Sequence, residues 1–314
     1  MRFASPFRLL LAVIIAMAAA PAAQAFVRET TGYATGAALH WDSGCVVIAV
    51  PDPRSSQVTW DELFGAVEAA AASWTAASAS CGGGFKFQVA KSTANQLVVG
   101  DDGVNAVIFR EAGYCDSQSS APRCDPLSLA VTWFYDVKQP SDPAYGTIRG
   151  VDIEINAEAY QWAVFADGAG RTNDLQSMLV HELGHVLGLD HTCYQPGFGL
   201  PRPLDDQGNA APDCSSAAPV VAGSVMFPRA NYTTGRTSLT DDDARGVCSI
   251  YSGSPAARCI GSLAPAGGCA LAASQGVSTD DPTSILCLLV QLVVLVKRSS
   301  QKARRTLRLF SLDQ

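Results

Sequence analysis

The stretch that decides the fold is His181-Glu182-Leu183-Gly184-His185-Val186-Leu187-Gly188-Leu189-Asp190-His191. Residues 173–180 before it (NDLQSMLV) have helical periodicity, with Leu175, Met178, Leu179 and Leu183 on one apolar face and Asn173 suited to the N-cap. A helix continued to residue 185 sets His181 and His185 one turn apart on the same side, with imidazoles about 6 Å apart. Two neutral imidazoles so placed reach one zinc ion at roughly 2.0–2.1 Å. Glu182 lies one residue round, close to such a metal without having to ligate it, which is the position of a general base for a metal-activated water. A helix continued further would carry His191 off this face. Gly188 can take the left-handed conformation, reverse the chain and return His191 as a third ligand. Three protein ligands leave a fourth tetrahedral position open, the mark of a catalytic rather than a structural zinc site.

An isolated HExxH occurs by chance in helices, but here five fixed positions match, and three of the four histidines in the chain lie among them. The arrangement resembles the metzincin zinc peptidases, whose signature HExxHxxGxxH is followed by a methionine-containing turn. Ser224-Val225-Met226-Phe227-Pro228 supplies such a turn, with Met226 lying 35 residues beyond His191. On its own pattern Met226 reads as a core residue; the resemblance makes it the hydrophobic floor under the metal. Phe227-Pro228 is similar to the matrixin branch, where an aromatic and then proline follow the methionine. Two features depart from that branch: Thr192 stands where matrixins usually carry serine, and segment 193–223 is long and rich in Pro, Gly and Ala. No substrate preference is therefore carried over.

The resemblance implies an α+β fold: a metzincin-like catalytic domain with a mixed twisted sheet, a long N-terminal helix and an active-site helix. It implies zinc held by His181, His185 and His191, Glu182 as the catalytic base, and Gly188, Met226 and Pro228 as supports of the active site. Protein or peptide substrates would lie extended along an edge strand near residues 130–134, touching Ala130, Val131 and Thr132. The function implied is a secreted or surface-attached zinc-dependent endopeptidase that hydrolyses peptide bonds with zinc-activated water. The alternative is a non-catalytic zinc-binding surface module on the same scaffold, for which loss of Glu182 would be the expected mark.

Residues 1–25 read as a signal peptide: Arg2 and Arg8, an apolar run over 9–20, and Ala23-Gln24-Ala25 as a cleavage site before Phe26. Export to an extracellular or cell-envelope location makes the cysteines meaningful. Eight of the ten lie between Phe26 and Gly261, an even number that suggests disulfides in an oxidising compartment. Pairing neighbours in order, Cys193 with Cys214 among them, gives loops of plausible size, though sequence does not determine connectivity. Cys45 could serve as a metal-blocking latency cysteine of the kind found in matrixin pro-segments, but its place beside an apolar run favours a structural role. Residues 26–296 carry 14 Lys and Arg against 28 Asp and Glu, a net of −14. That balance argues against nucleic acid or an anionic membrane as partner. It is compatible with bound calcium, although no EF-hand-like loop is present.

Residues 26–253 read as one domain. Strands are expected at 45–50 (CVVIAV), 85–90, 105–110, 127–135 and 150–156 (GVDIEIN), the last half-buried by its alternation. Helices are expected over 60–77 and, with an acidic first turn, over 239–251 (LTDDDARGVCSIY). Residues 254–283 form a Gly/Ala/Ser-rich linker. Residues 284–314 combine an apolar segment, 285–296, with a basic tail. Twelve helical residues span about 18 Å, short of the ~30 Å hydrocarbon core. The order of spacer, cysteine (Cys269), apolar stretch and basic cluster is similar to C-terminal sorting tails of bacterial surface proteins. It implies attachment to the membrane or cell surface, or release after processing near Cys269.

Overall fold

The apolar run Cys45–Pro51 becomes strand β2, buried along nearly its whole length. Strand β1 (Val27–Arg28) precedes it. The computed structural model describes residues 26–94, 97–115, 125–164, 172–196, 201–228, 235–253 and 259–263. The expected signal peptide and the apolar, basic tail lie outside the described residues.

From β2 the chain enters helix α1 (Trp60–Ser80), opened by a reciprocal capping box between Thr59 and Glu62. The helix buries Leu63, Val67, Ala70, Ala71 and Trp74 on one face and ends at Ser80, with Cys81 as the C-cap and Gly82 turning the chain at φ +71°. Strand β3 (Lys86–Ser92) follows and pairs parallel to β2, so α1 is the crossover that a parallel pair requires. Strand β4 (Val107–Arg110) joins β2 through the Ala49–Ala106 bridge, where Ala49 N donates to Asn105 O at 2.7 Å. Strands β5 (Ala130–Asp136) and β6 (Ile148–Asn156) complete a three-stranded sheet in the order β4-β6-β5. β6 runs parallel to β4 and antiparallel to β5, which leaves β5 at the edge. The fold is α+β with mixed strand directions.

Strand β6 departs from the half-buried expectation. Asp152, Glu154 and Asn156 are buried as fully as Val151, Ile153 and Ile155. A second small core of Ala49, Leu97, Val99, Val104, Ala106 and Ile108 forms on that side. The polar side chains there are matched. Asp152 accepts from Gly100 N at 3.0 Å and Ala106 N at 2.9 Å, and Glu154 accepts from Arg110 Nε at 2.7 Å. Alternation therefore marks two different buried environments rather than core and solvent.

Three disulfides hold the described residues together, as suits an oxidising compartment. Cys193 joins Cys214, the expected neighbours. Cys45 joins Cys259 and Cys81 joins Cys248, so there the neighbour-pairing expectation is corrected to a nested pair. Past helix α2 (Leu175–Val186) and the short helix α3 (Pro219–Gly223), helix α4 (Asp241–Tyr251) docks on α1 and brings Cys248 to the end of α1. Residues 259 and 260 lie alongside β2. Val47 N donates to Ile260 O at 2.7 Å and Ile260 N to Cys45 O at 2.8 Å. Cys259, Ile260 and Ser262, assigned to the linker by composition, thus extend the body beyond residue 253. Cys115 is also disulfide-bonded. The bond to Cys259 leaves Cys45 no thiol with which to block a metal. Among the described residues, no helix is long and apolar enough to cross a membrane.

With Cys45–Cys259 in place, the ring closed by Cys81–Cys248 is on the order of 50 residues, worth about 4 kcal/mol by chain entropy. The double variant Cys81→Ala/Cys248→Ala should lose about that much stability in urea unfolding under non-reducing conditions. A loss under about 1 kcal/mol would show that the packing of α4 on α1 holds the ends without the bond.

Candidate metal centre

Strands β7 (Trp162–Ala163) and β8 (Asn173–Asp174) pair in parallel and lead into helix α2 (Leu175–Val186). The N-cap is Asp174, whose carboxylate accepts from Ser177 N at 3.1 Å, one residue past the expected Asn173. Every residue of α2 except Gln176 is buried, so the helix is surrounded rather than amphipathic. Three aromatic side chains donate to its carbonyls: Trp74 Nε1 to Val180 at 2.8 Å, Trp41 Nε1 to Val186 at 2.8 Å and Tyr251 OH to Leu187 at 3.0 Å. The last two satisfy carbonyls at the helix C-terminus, which lack intrahelical partners.

His181 and His185 occupy one side of α2, with ring centroids 4.8 Å apart. At Gly188 the backbone takes φ +91°, and a Cβ there would stand 2.5 Å from Leu39 O. Only glycine satisfies both conditions at once. The reversed chain forms strand β9 (Leu189–Asp190), antiparallel to β1, and returns the His191 ring to 4.8 Å from His185 and 5.2 Å from His181. The Nε2 atoms of His185 and His191 lie 3.1 and 3.2 Å from that of His181. Three tetrahedral ligands at zinc–nitrogen distances of 2.0–2.1 Å stand about 3.3 Å apart. The three histidines together can hold a metal ion.

The outer edges of the rings agree with that arrangement. His181 Nδ1 donates to Val225 O at 2.6 Å and His185 Nδ1 to Leu189 O at 2.8 Å, so each Nε2 turns its lone pair inward. Burial pushes the pKa of His181 down to about 3 and that of His191 well below its ordinary value, which keeps both rings neutral. Burial also opposes charge on His185, but the hydrogen bond that Glu29 accepts from it and the charges of Glu182, Glu29 and Asp190 outweigh that and lift its pKa to about 9. Those carboxylates favour a positive charge at this point. A cation held by the three Nε2 atoms would answer that preference.

Glu182 is buried beside these rings, and burial raises its pKa. Thr132 Oγ1 donates to Glu182 Oε2 at 2.7 Å. Thr132, Ala130 and Val131 all line the same cleft, of about 740 Å³, as do Glu182, the three histidines and Pro228. The hydroxyl of Thr132 thus fixes the carboxylate, a role the sequence did not indicate. Met226 packs against α2 so closely that a Cβ on Gly184 would collide with its Sδ and stand 2.9 Å from Trp74 Cζ2. Its turn is held from α4. Ser224 Oγ donates to Asp243 Oδ1 at 2.5 Å, and Val225 N to Asp243 Oδ2 at 3.2 Å. Thr192 N donates to Met226 O at 3.2 Å and ties the loop after His191 to that turn.

The sequence also missed Asp243 and Glu29. Asp243 stands three residues after Thr240, the spacing of a capping box, which marks it as a helix-start acid but not as the anchor of the Met226 turn. Glu29 precedes the first long strand with no motif around it. No protein-family model matches the chain, and no curated protein matches it.

Replacing Gly188 by alanine combines a left-handed backbone penalty of about 1–2 kcal/mol with an overpacking cost of about 1–3 kcal/mol. Urea unfolding of metal-free Gly188→Ala should show a loss of about 2–5 kcal/mol, and metal titration should show weakened binding. Wild-type values in both assays would mean that this turn does not place His191.

Proposed function

We propose that the chain is a zinc-dependent endopeptidase of the metzincin type, similar to the matrixins, acting outside the cytoplasm. The observation that carries the reading is the gathering of three imidazole Nε2 atoms beside a buried carboxylate in one open cleft. A helix-borne HExxH, a left-handed Gly188 and Met226 packed against that helix on an α+β body support the resemblance. His181, His185 and His191 would hold the metal, and an all-imidazole donor set suits zinc. Zinc, when bound, supplies a Lewis acid that polarises the scissile carbonyl and lowers the pKa of water.

The other steps belong to the chain's own groups. Glu182, held by Thr132 and raised in pKa by burial, takes the proton of the attacking water and delivers it to the leaving amine. The outer edge of β5 offers its backbone to an extended peptide, with Ala130 and Val131 on the wall of the cleft. The loop closed by Cys193–Cys214 borders the other part of the cleft through Cys193, Tyr194, Pro201 and Pro203, where it would limit the substrate side chains admitted.

The test is the Glu182→Ala variant of the purified chain, loaded with zinc and given an unfolded protein substrate. It should retain one zinc and lose at least about 10²-fold in turnover, the scale of a general base, and a chelator should abolish the wild-type activity. Unchanged turnover in Glu182→Ala would sink the mechanism. A wild-type protein that retains zinc but hydrolyses nothing would favour a non-catalytic zinc-binding module.

A further inference from the structure

Glu29 lies just past β1 and lines the cleft beside His185. Its Oε1 lies 3.2 Å from His185 Nδ1, and its side chain is 18% exposed. The backbone around it is clamped to the same turn that returns His191. Glu29 N donates to Gly188 O at 2.9 Å, and Leu39 N donates to Glu29 O at 2.8 Å. Arg28 adds two bonds, Nε to Gly188 O at 3.2 Å and Nη2 to Leu39 O at 2.6 Å. The carboxylate is therefore delivered to the ring edge by a fixed piece of main chain.

His185 Nδ1–H has two acceptors on that edge, Leu189 O at 2.8 Å and Glu29 Oε1 at 3.2 Å. The carbonyl alone sets the tautomer. The carboxylate adds a second direction, which fixes the ring's rotation, and an anionic partner, which makes Nε2 a stronger donor to a cation. We propose that Glu29 is a positioning residue for the metal centre, holding the His185 ring through Nδ1 so that Nε2 points to the shared metal position. This rests on the three-histidine metal site and not on peptide hydrolysis.

The experiment measures zinc affinity of the full chain by competition with a chromogenic chelator, for wild type, Glu29→Ala and Glu29→Gln. Urea unfolding of the metal-free proteins runs alongside. Glu29→Ala should bind zinc 10- to 100-fold more weakly, the usual loss for a partner of a ligating histidine. Glu29→Gln presents an acceptor oxygen at the same place and should recover part of that loss. Metal-free stability should be alike in all three. Zinc affinity of Glu29→Ala within twofold of wild type would overturn the proposal. So would failure of Glu29→Gln to improve on Glu29→Ala, or a metal-free stability loss large enough to account for the weaker binding. Zinc affinity is read without turnover, so a wild-type chain that binds zinc but cleaves nothing would defeat the peptidase reading and leave this one standing.

Discussion

The left-handed turn at Gly188 is the constraint on which the rest of the centre depends. Two histidines one helical turn apart need nothing beyond α2 itself. The third arrives only because the backbone reverses where no side chain is admitted, against Leu39 O. The reversal also produces β9, and β9 gives β1 a strand to pair with. One backbone conformation thus places a ligand and recruits the N-terminal segment to the site. The rest of the core serves to keep α2 still: Trp41, Trp74 and Tyr251 each bond one of its carbonyls from a different part of the chain.

The charges of the site follow from the same geometry. Glu29, Glu182 and Asp190 surround His185, while His181 and His191 are kept neutral by burial. Several carboxylates gathered in a small buried space are costly even when hydrogen-bonded, and a cation among them relieves that cost. A site with these neighbours is poorly suited to stay empty of positive charge, whichever ion supplies it.

Local chemistry made the metal motif legible in the sequence, because helix periodicity and glycine's tolerance of positive φ act within a dozen residues. The strands and helices were readable for the same reason, with ends displaced by a few residues: α1 runs three residues further than expected, and α2 is capped by Asp174 instead of Asn173. What escaped was set by contacts distant in sequence. The burial of Asp152 and Glu154 depends on segment 97–106 folding over β6, and the disulfide nesting depends on α4 docking against α1. Thr132 finds Glu182 across 50 residues and Glu29 finds His185 across 156, and neither pairing leaves a local trace.

The nested bonds Cys45–Cys259 and Cys81–Cys248 carry a meaning besides stability. Together they fasten the front of the body to its back, with the metal motif in the span between Cys81 and Cys248. A single peptide-bond break anywhere in that span, including the long loop next to the cleft, cannot separate the two halves. The nicked molecule remains one covalent body, with the helix pair α1 and α4 still tied at the break's far ends. In surroundings where chains are cut, such architecture converts a scission that would otherwise shed half the protein into a scar.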